Sequence, residues 1–250
     1  MDFKAQVYWE ERLKSKFSLA GTGHCGFSER YNGYMYRRRK DVLDAALRNF
    51  CIEVRGKKVL DIGCGTGFFV NYYLGKKAAV VMGVDITEVS INQLRIKFPL
   101  QQFLKLDVGK EAIPLSEKFD VVNAFDVFYH IVDDKEFSYA LENVNSCCAK
   151  NTWVLFTDCL NPELSEAVHV KYRNLGEYER ILHRFNIDII GVIPVFHLLG
   201  KTTAGNIKNL FIKRIIAKAT DSIGWLVYML DSIYCPKSSS SLNLLICRKK

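Results

Sequence analysis

KKVLDIGCGTG, residues 57–67, is the stretch on which the reading of this chain turns. Val59, Leu60 and Ile62 form a short apolar run of β character that stops at Gly63, Gly65 and Gly67, as a buried strand does on entering a tight loop. Residues 68–74 then continue with helical character up to Gly75. Strand, glycine loop and helix in succession open a ligand-binding βα unit. The glycines let the backbone approach a ligand closely, and the start of the helix offers free N–H groups.

Spacing separates two kinds of ligand. A dinucleotide loop requires G-x-G-x-x-G, whereas Gly63-Cys64-Gly65-Thr66-Gly67 is G-x-G-x-G, with Phe68 in place of the third dinucleotide glycine. Asp61 at the strand end would repel phosphates but could hold an ammonium group. The run closely resembles motif I of the class I S-adenosylmethionine (SAM)-dependent methyltransferases. SAM carries an amino-acid end and a sulfonium, and no phosphate.

The following segments keep the same order. Residues 78–84 form a second apolar run ending at Asp85, whose carboxylate at a strand tip can accept both ribose hydroxyls. Thr87 is expected to cap a helix over 89–98 that Pro99 stops. Residues 103–107 read as a third strand and 119–125 as a fourth, followed by Asp126. The resemblance implies that Asp107 meets the adenine amino group and that Ile86, Leu106, Val108 and Phe125 complete the cofactor contacts, together with Cys64 and Thr66 of the loop. It implies a doubly wound α/β fold: a seven-stranded Rossmann-like sheet with its last strand antiparallel, an N-terminal helical lid over 1–56, and a methyltransferase domain over 57–250 with a helical insertion at 197–241.

Length and composition agree with one α/β domain: 250 residues, 49% of them hydrophobic, can fill a full core. The formal net charge of +8 is spread in small basic groups, which favours a solvated surface over a nucleic-acid face. The eight cysteines include no CxxC pair, so neither a zinc site nor a disulfide framework is indicated. Residues 1–10 lack the apolar core of a secretory signal, and no apolar run reaches the length of a membrane span. A cytoplasmic protein, monomer or homodimer, is the expectation.

The first fifty residues are patterned. A helix is expected over 7–17, a glycine-rich bend over 21–26, and a longer helix over 28–50 capped by Ser28, with Tyr31, Met35, Val42, Ala46 and Phe50 facing the core. In class I methyltransferases such a segment often closes over SAM, which makes Tyr31 and Arg37 candidates for the methionine carboxylate; an amphipathic helix with a solvated RRRK face is the competing reading. The pattern Tyr8-Trp9, Arg12, Gly26-Phe27-Ser28, Tyr31-Asn32, Tyr34 is similar to one in bacterial enzymes that methylate small metabolites or surface-glycan groups.

The acceptor is expected after the fourth strand. Asn123-Ala124-Phe125-Asp126 lacks the Asn/Asp-Pro-Pro-aromatic pattern of enzymes that methylate base or amide nitrogen, and no Pro-Cys pair is present for attack at a pyrimidine carbon. Residues 126–134 resemble instead the corresponding segment of small-molecule methyltransferases. His130 is the candidate base, with Asp126 beside it, because an ordinary imidazole can take a hydroxyl proton near neutral pH; a structural histidine is the alternative. The fifth strand, over 152–157, leads to Asp158-Cys159 in place of the Asp-Asn pair of the Mg²⁺-dependent catechol-type enzymes, so no metal is expected.

Helices are expected over 135–147 and 175–185, and the last two strands over 187–195 and 242–247. Within the long connection between those strands, 207–230 mixes apolar and basic residues. It is read as a substrate cap, ahead of a dimer surface or a membrane-surface helix. The chain is thus expected to move a methyl group from SAM to a small-molecule acceptor, most simply an oxygen, by direct displacement. An RNA methyltransferase and a non-catalytic SAM- or nucleotide-binding scaffold are the alternatives.

Overall fold

A computed structural model describes residues 3–24, 26–114, 117–164, 167–200, 219, 222–234 and 242–250. Seven strands, β1 (Lys58–Ile62), β2 (Val80–Asp85), β3 (Phe103–Lys105), β4 (Phe119–Ala124), β5 (Cys148–Asp158), β6 (Ile187–Phe196) and β7 (Leu242–Lys249), form one sheet of order β3-β2-β1-β4-β5-β7-β6. The first five run parallel, and β7 lies antiparallel between β5 and β6.

Period-two alternation sorts the apolar runs into two layers. Val59, Val81, Val121, Leu155, Leu244 and Ile246 face one layer; Leu60, Ile62, Met82, Val84, Val122, Ala124, Val154, Phe156 and Leu245 face the other. Helices α3 (Glu29–Asn49), α4 (Phe68–Gly75) and α5 (Glu88–Lys97) cover the first, and α6 (Asp134–Ser146) and α7 (Leu175–Arg184) the second. Two-sided burial is why these strands read as nearly continuous apolar runs. The strand order reverses between the parallel neighbours β1 and β4, and a crevice opens there at the strands' C-terminal ends.

Before α3 come α1 (Ala5–Ser15) and a short α2 (Leu19–Thr22), which replaces part of the bend expected over 21–26. Arg12 makes this turn possible, since its guanidinium donates to the carbonyls of Ala20 and Gly23 and to the Tyr8 hydroxyl. Ser28 caps α3 by accepting from the Tyr31 N–H. Thr87 precedes α5 without capping it through its side chain, because its hydroxyl donates to Asp85 Oδ1 at 2.7 Å instead. β5 begins four residues earlier than its apolar core, after a register shift against β4. The last described helix, α8 (Gly224–Ile233), packs on α3 and is pinned by Asp231, which accepts from the Leu198 and Leu199 N–H groups at 2.9 and 2.8 Å. Residues 201–218 of the expected insertion lie outside the described residues. Among the described residues, no helix is long and apolar enough to cross a membrane.

Candidate cofactor and active site

Gly63, Gly65 and Gly67 all adopt left-handed backbone, with φ of 70°, 48° and 77°. At Gly65 a Cβ would come within 2.8 Å of the Thr22 methyl, so the loop and α2 meet only because that position is glycine. The Gly65 N–H donates to Asp85 Oδ2 at 2.8 Å, and the Thr87 N–H and hydroxyl both donate to Asp85 Oδ1. Asp85 is thereby fixed at the tip of β2, its oxygens retaining further lone pairs toward the crevice. Burial raises its carboxyl against these donors.

Asp61 lies one layer beneath. Tyr73 Oη donates to Asn123 Oδ1 at 3.0 Å, and Asn123 Nδ2 donates to Asp61 Oδ1 at 2.6 Å. Its Oδ2 is buried without a hydrogen-bond partner, and burial holds the carboxyl up at about 7. Such an oxygen awaits a donor, since an unpaired buried acceptor is costly. Asp107, beyond β3, accepts from the Gly109 N–H at 3.0 Å, with Lys110 Nζ 3.4 Å from its other oxygen.

The crevice is lined by Gly63, Cys64, Gly65, Thr66, Asp85, Ile86, Leu106, Asp107, Val108, Phe125, Asp126 and His130 of the expected set. Helices α1 to α3 add Trp9, Leu13, Thr22 and Tyr36 as its outer wall, and α6 adds Glu136. Its described lining thus carries four carboxylates and neither lysine nor arginine. A ligand with a cationic centre and a neutral adenosine fits this set; a pyrophosphate does not. Together with the unpartnered Asp61 Oδ2, the donor set matches SAM. In the family's arrangement Asp85 would meet ribose hydroxyls, Asp107 an adenine amino group and the Ile86, Leu106 and Val108 side chains the adenine faces, while Asp61, beneath the lining, could hold the ammonium directly or through water.

Tyr31 and Arg37 belong elsewhere. Tyr31 is buried against the Phe27 ring and its hydroxyl donates to the Leu199 carbonyl, while Arg37 is exposed and stands 4.9 Å over the Tyr228 ring. Both leave the crevice because α3 turns Tyr36, not its neighbours, toward the glycine loop, where the Tyr36 hydroxyl donates to Thr22 Oγ1 at 2.8 Å. Asp61 and Gly67 support the loop from below and do not line the crevice itself; a Cβ on Gly67 would collide with Leu94 and Phe98 of the α5 region.

At the far end, Asp126 also has left-handed backbone, φ 59°. Its N–H donates to Thr157 Oγ1, whose hydroxyl donates back to Asp126 Oδ1 at 2.9 Å, and Arg39 Nε lies 2.7 Å from Oδ2. Arg39 is buried between the rings of Tyr36 and Phe196, and its Nη1 has no hydrogen-bond partner. Asp126 is therefore held from both sides, which makes it a support for the loop ahead of a free base. Arg39 and its pairing carry no sequence signal beyond a basic run on a helix.

His130 sits in an aromatic nest. Its ring stacks on His169 at 5.6 Å and meets Trp9 edge-on at 4.9 Å. Nδ1 is 2.9 Å from the His169 carbonyl, which can only accept, so the neutral ring carries its proton on Nδ1 and leaves Nε2 as the basic nitrogen. Burial, with His169 and Arg12 adding to it, lowers its pKa to about 4. The expectation of a base titrating near neutrality is corrected accordingly: His130 is an uncharged hydrogen-bond acceptor at pH 7. Asp158, at the end of β5, is buried, accepts from the Tyr178 hydroxyl and is raised by burial to about 8. Among the described residues no group of three or more His, Cys, Asp or Glu is arranged to hold a metal ion.

A model of the methyltransferase-domain family matches residues 31–192, more than half of the chain. The chain belongs to that family. The sheet order is that of the class I SAM-dependent methyltransferase fold, and SAM is the family's cofactor. A tRNA U34 carboxymethyltransferase of Dichelobacter nodosus is 34% identical over 148 residues, covering 58% of this chain and 43% of that protein. A ubiquinone biosynthesis O-methyltransferase of Neisseria meningitidis is 28% identical over 125 residues, covering 47% and 50%. The chain thus spans half or less of the length of these relatives. Among solved structures, the magnesium protoporphyrin IX methyltransferase of Synechocystis PCC 6803 with bound SAM superposes with a TM-score of 0.61 at 14% identity, over 99% of this chain and 98% of that one, a likeness of fold.

Proposed function

We propose that this methyltransferase transfers the SAM methyl group to an oxygen of a small-molecule acceptor entering beside His130. The observation that carries this reading is the crevice lining, with four carboxylates and no lysine or arginine, which suits a sulfonium and disfavours a polyanion. The net charge of +8 lies outside that lining, so the RNA alternative gains no phosphate contacts at the reacting end.

SAM supplies an electrophilic methyl on a sulfonium. Asp85 and Asp107 would hold the nucleoside, and Asp61 Oδ2, reached directly or through water, would take the ammonium, whose charge favours the ionised carboxylate. Phe125, just after β4, packs 4.4 Å from Phe69 and lines the crevice, where it would border the cofactor. His130 Nε2 accepts the hydrogen bond of an acceptor hydroxyl and turns an oxygen lone pair toward the methyl. Asp126, clamped by Arg39 and Thr157, keeps the intervening loop in its left-handed shape so that His130 stays in place. Alignment of the oxygen with the S–CH₃ bond supplies most of the rate, as in other direct displacements.

The test is transfer of labelled methyl from SAM to a panel of hydroxylated and carboxylated metabolites, with RNA as the parallel arm. Label on a small-molecule oxygen, lost in His130→Gln, supports the reading. Label on RNA with a steep dependence on salt would overturn it.

A further inference from the structure

Helix α8 presents two apolar faces, and among the described residues the fold packs against only one. At 100° per residue, Gly224, Val227, Tyr228 and Asp231 fall on the inner face. A Cβ on Gly224 would press on the rings of Tyr31 and Tyr34, the Tyr228 hydroxyl donates to Asp41 of α3, and buried Asp231 caps the chain leaving β6. Trp225, Leu226, Met229, Leu230 and Ile233 fall on the outer face, within an arc of about 140°, and their exposures run from 42% to 81%. Because Tyr228 and Asp231 pin the inner face, the helix cannot roll to hide the outer one.

Exposed arginines lie on the α3 stripe that receives α8. On α3, Arg30 and Arg37 share the stripe of Tyr34 and Asp41 that receives α8, both are exposed, and Arg37 stands over the Tyr228 ring. Asp41, the acid of that stripe, is engaged by the Tyr228 hydroxyl. In sequence, 201–230 carries Lys201, Lys208, Lys213, Arg214 and Lys218 against Asp221 alone. We propose that the outer face of α8 docks on an anionic lipid surface, with Arg30 and Arg37 meeting the headgroups. A short helix of Gly224–Ile233 lies along such a surface without spanning it, Trp225 takes the interfacial position and the arginines supply the attraction. A second copy of the chain is disfavoured as occupant, because a two-fold contact through this face would set the same arginines against each other. The inference stands apart from the methyl-transfer reading.

The experiment is co-sedimentation of the full chain with phosphatidylcholine vesicles, with and without phosphatidylglycerol, at low and high salt. Wild type should bind the anionic vesicles and be released by salt. Trp225→Ser/Ile233→Ser should weaken binding about tenfold or more, and Arg30→Gln/Arg37→Gln should remove the preference for phosphatidylglycerol, each with unchanged circular dichroism and thermal midpoint. Absence of vesicle binding, equal binding to both vesicles, or binding unchanged in the first double variant would overturn the proposal. So would a concentration-dependent dimer by light scattering that Trp225→Ser/Ile233→Ser abolishes, which would give the face to a second copy.

Discussion

At the β1–β3 end of the crevice the three carboxylates Asp61, Asp85 and Asp107 are held by groups from between Asp61 and Asn123, backbone N–H groups for Asp85 and Asp107 and the Asn123 amide for Asp61. At the β4–β5 end, Asp126 and His130 depend on partners far away in the chain: Arg39 and Trp9 before the first strand, Thr157 within the fifth and His169 after it. The first end is a binding surface that local chain geometry builds almost unaided. The second is assembled by the folded domain as a whole, and its integrity should track global stability. Substitutions can separate the two, and the largest expected effect lies at the assembled end.

Arg39→Met removes the buried cation paired with Asp126 and leaves that carboxylate among Tyr36, Tyr129 and Phe196. A loss of about 3–5 kcal/mol is expected from breaking one side of such a pair, read as a fall in thermal midpoint. The double variant Arg39→Met/Asp126→Asn should recover a good part of it. An Arg39→Met midpoint within a degree or so of wild type would mean that the pair does not hold this end together.

His130→Gln should leave SAM affinity unchanged and lower turnover by about a hundredfold or more, the lower end of the range for one positioned side chain acting on the acceptor proton. Since the His130 pKa is about 4 against an ordinary 6.5, the stability tied to its neutral ring is fully present above pH 6.5 and is lost as pH falls from there through 4. Wild type should therefore lose stability across that window more steeply than His130→Gln. Turnover in wild type should show no limb near pH 6.5; a limb there would return His130 to the role of a titrating base.

At the locally built end, Asp61 gives an effect of opposite sign on stability and on binding. Its carboxyl is raised by burial to about 7, so stability tied to the protonated form is present below pH 4 and is lost as pH rises through 7. Asp61→Asn keeps an acceptor for Asn123 and removes the charge. Without SAM it should be the more stable protein at pH 8, by about 1 kcal/mol or a few degrees, while binding SAM more weakly. Equal SAM affinity would show that the unpaired oxygen serves no ligand. The smallest effect is expected from Arg37→Ala, which should leave SAM affinity unchanged because the side chain lies over Tyr228, away from the crevice.

The same division explains what could be read before folding. The glycine loop, Asp85 and Asp107 are spaced by strand and helix lengths, so local periodicity locates them, and the sheet order is the one the family resemblance implies. Two-layer burial made the apolar runs unmistakable. The cover was harder. An RRRK run on an amphipathic helix does not say that Arg39 points inward while Arg37 points out, since two residues' difference in phase decides it. Nor does a histidine after β4 disclose its basicity, which is set by Trp9 and His169 from opposite ends of the chain. Nor does the family-like position of Tyr31 disclose the register of α3, which buries Tyr31 against Phe27 and turns Tyr36 to the crevice.

The most direct measurement is the thermal midpoint of wild type and Asp85→Ala with SAM, S-adenosylhomocysteine and NAD⁺. At a hundred times its dissociation constant a ligand of the native state adds about 2.7 kcal/mol, or roughly 5–10 °C for a chain of this size. The account predicts that shift for the two adenosyl ligands, a much smaller one in Asp85→Ala at the same concentrations, and none with NAD⁺. A shift with NAD⁺, or equal shifts in both proteins, would contradict a SAM site built on the carboxylates at the strand ends.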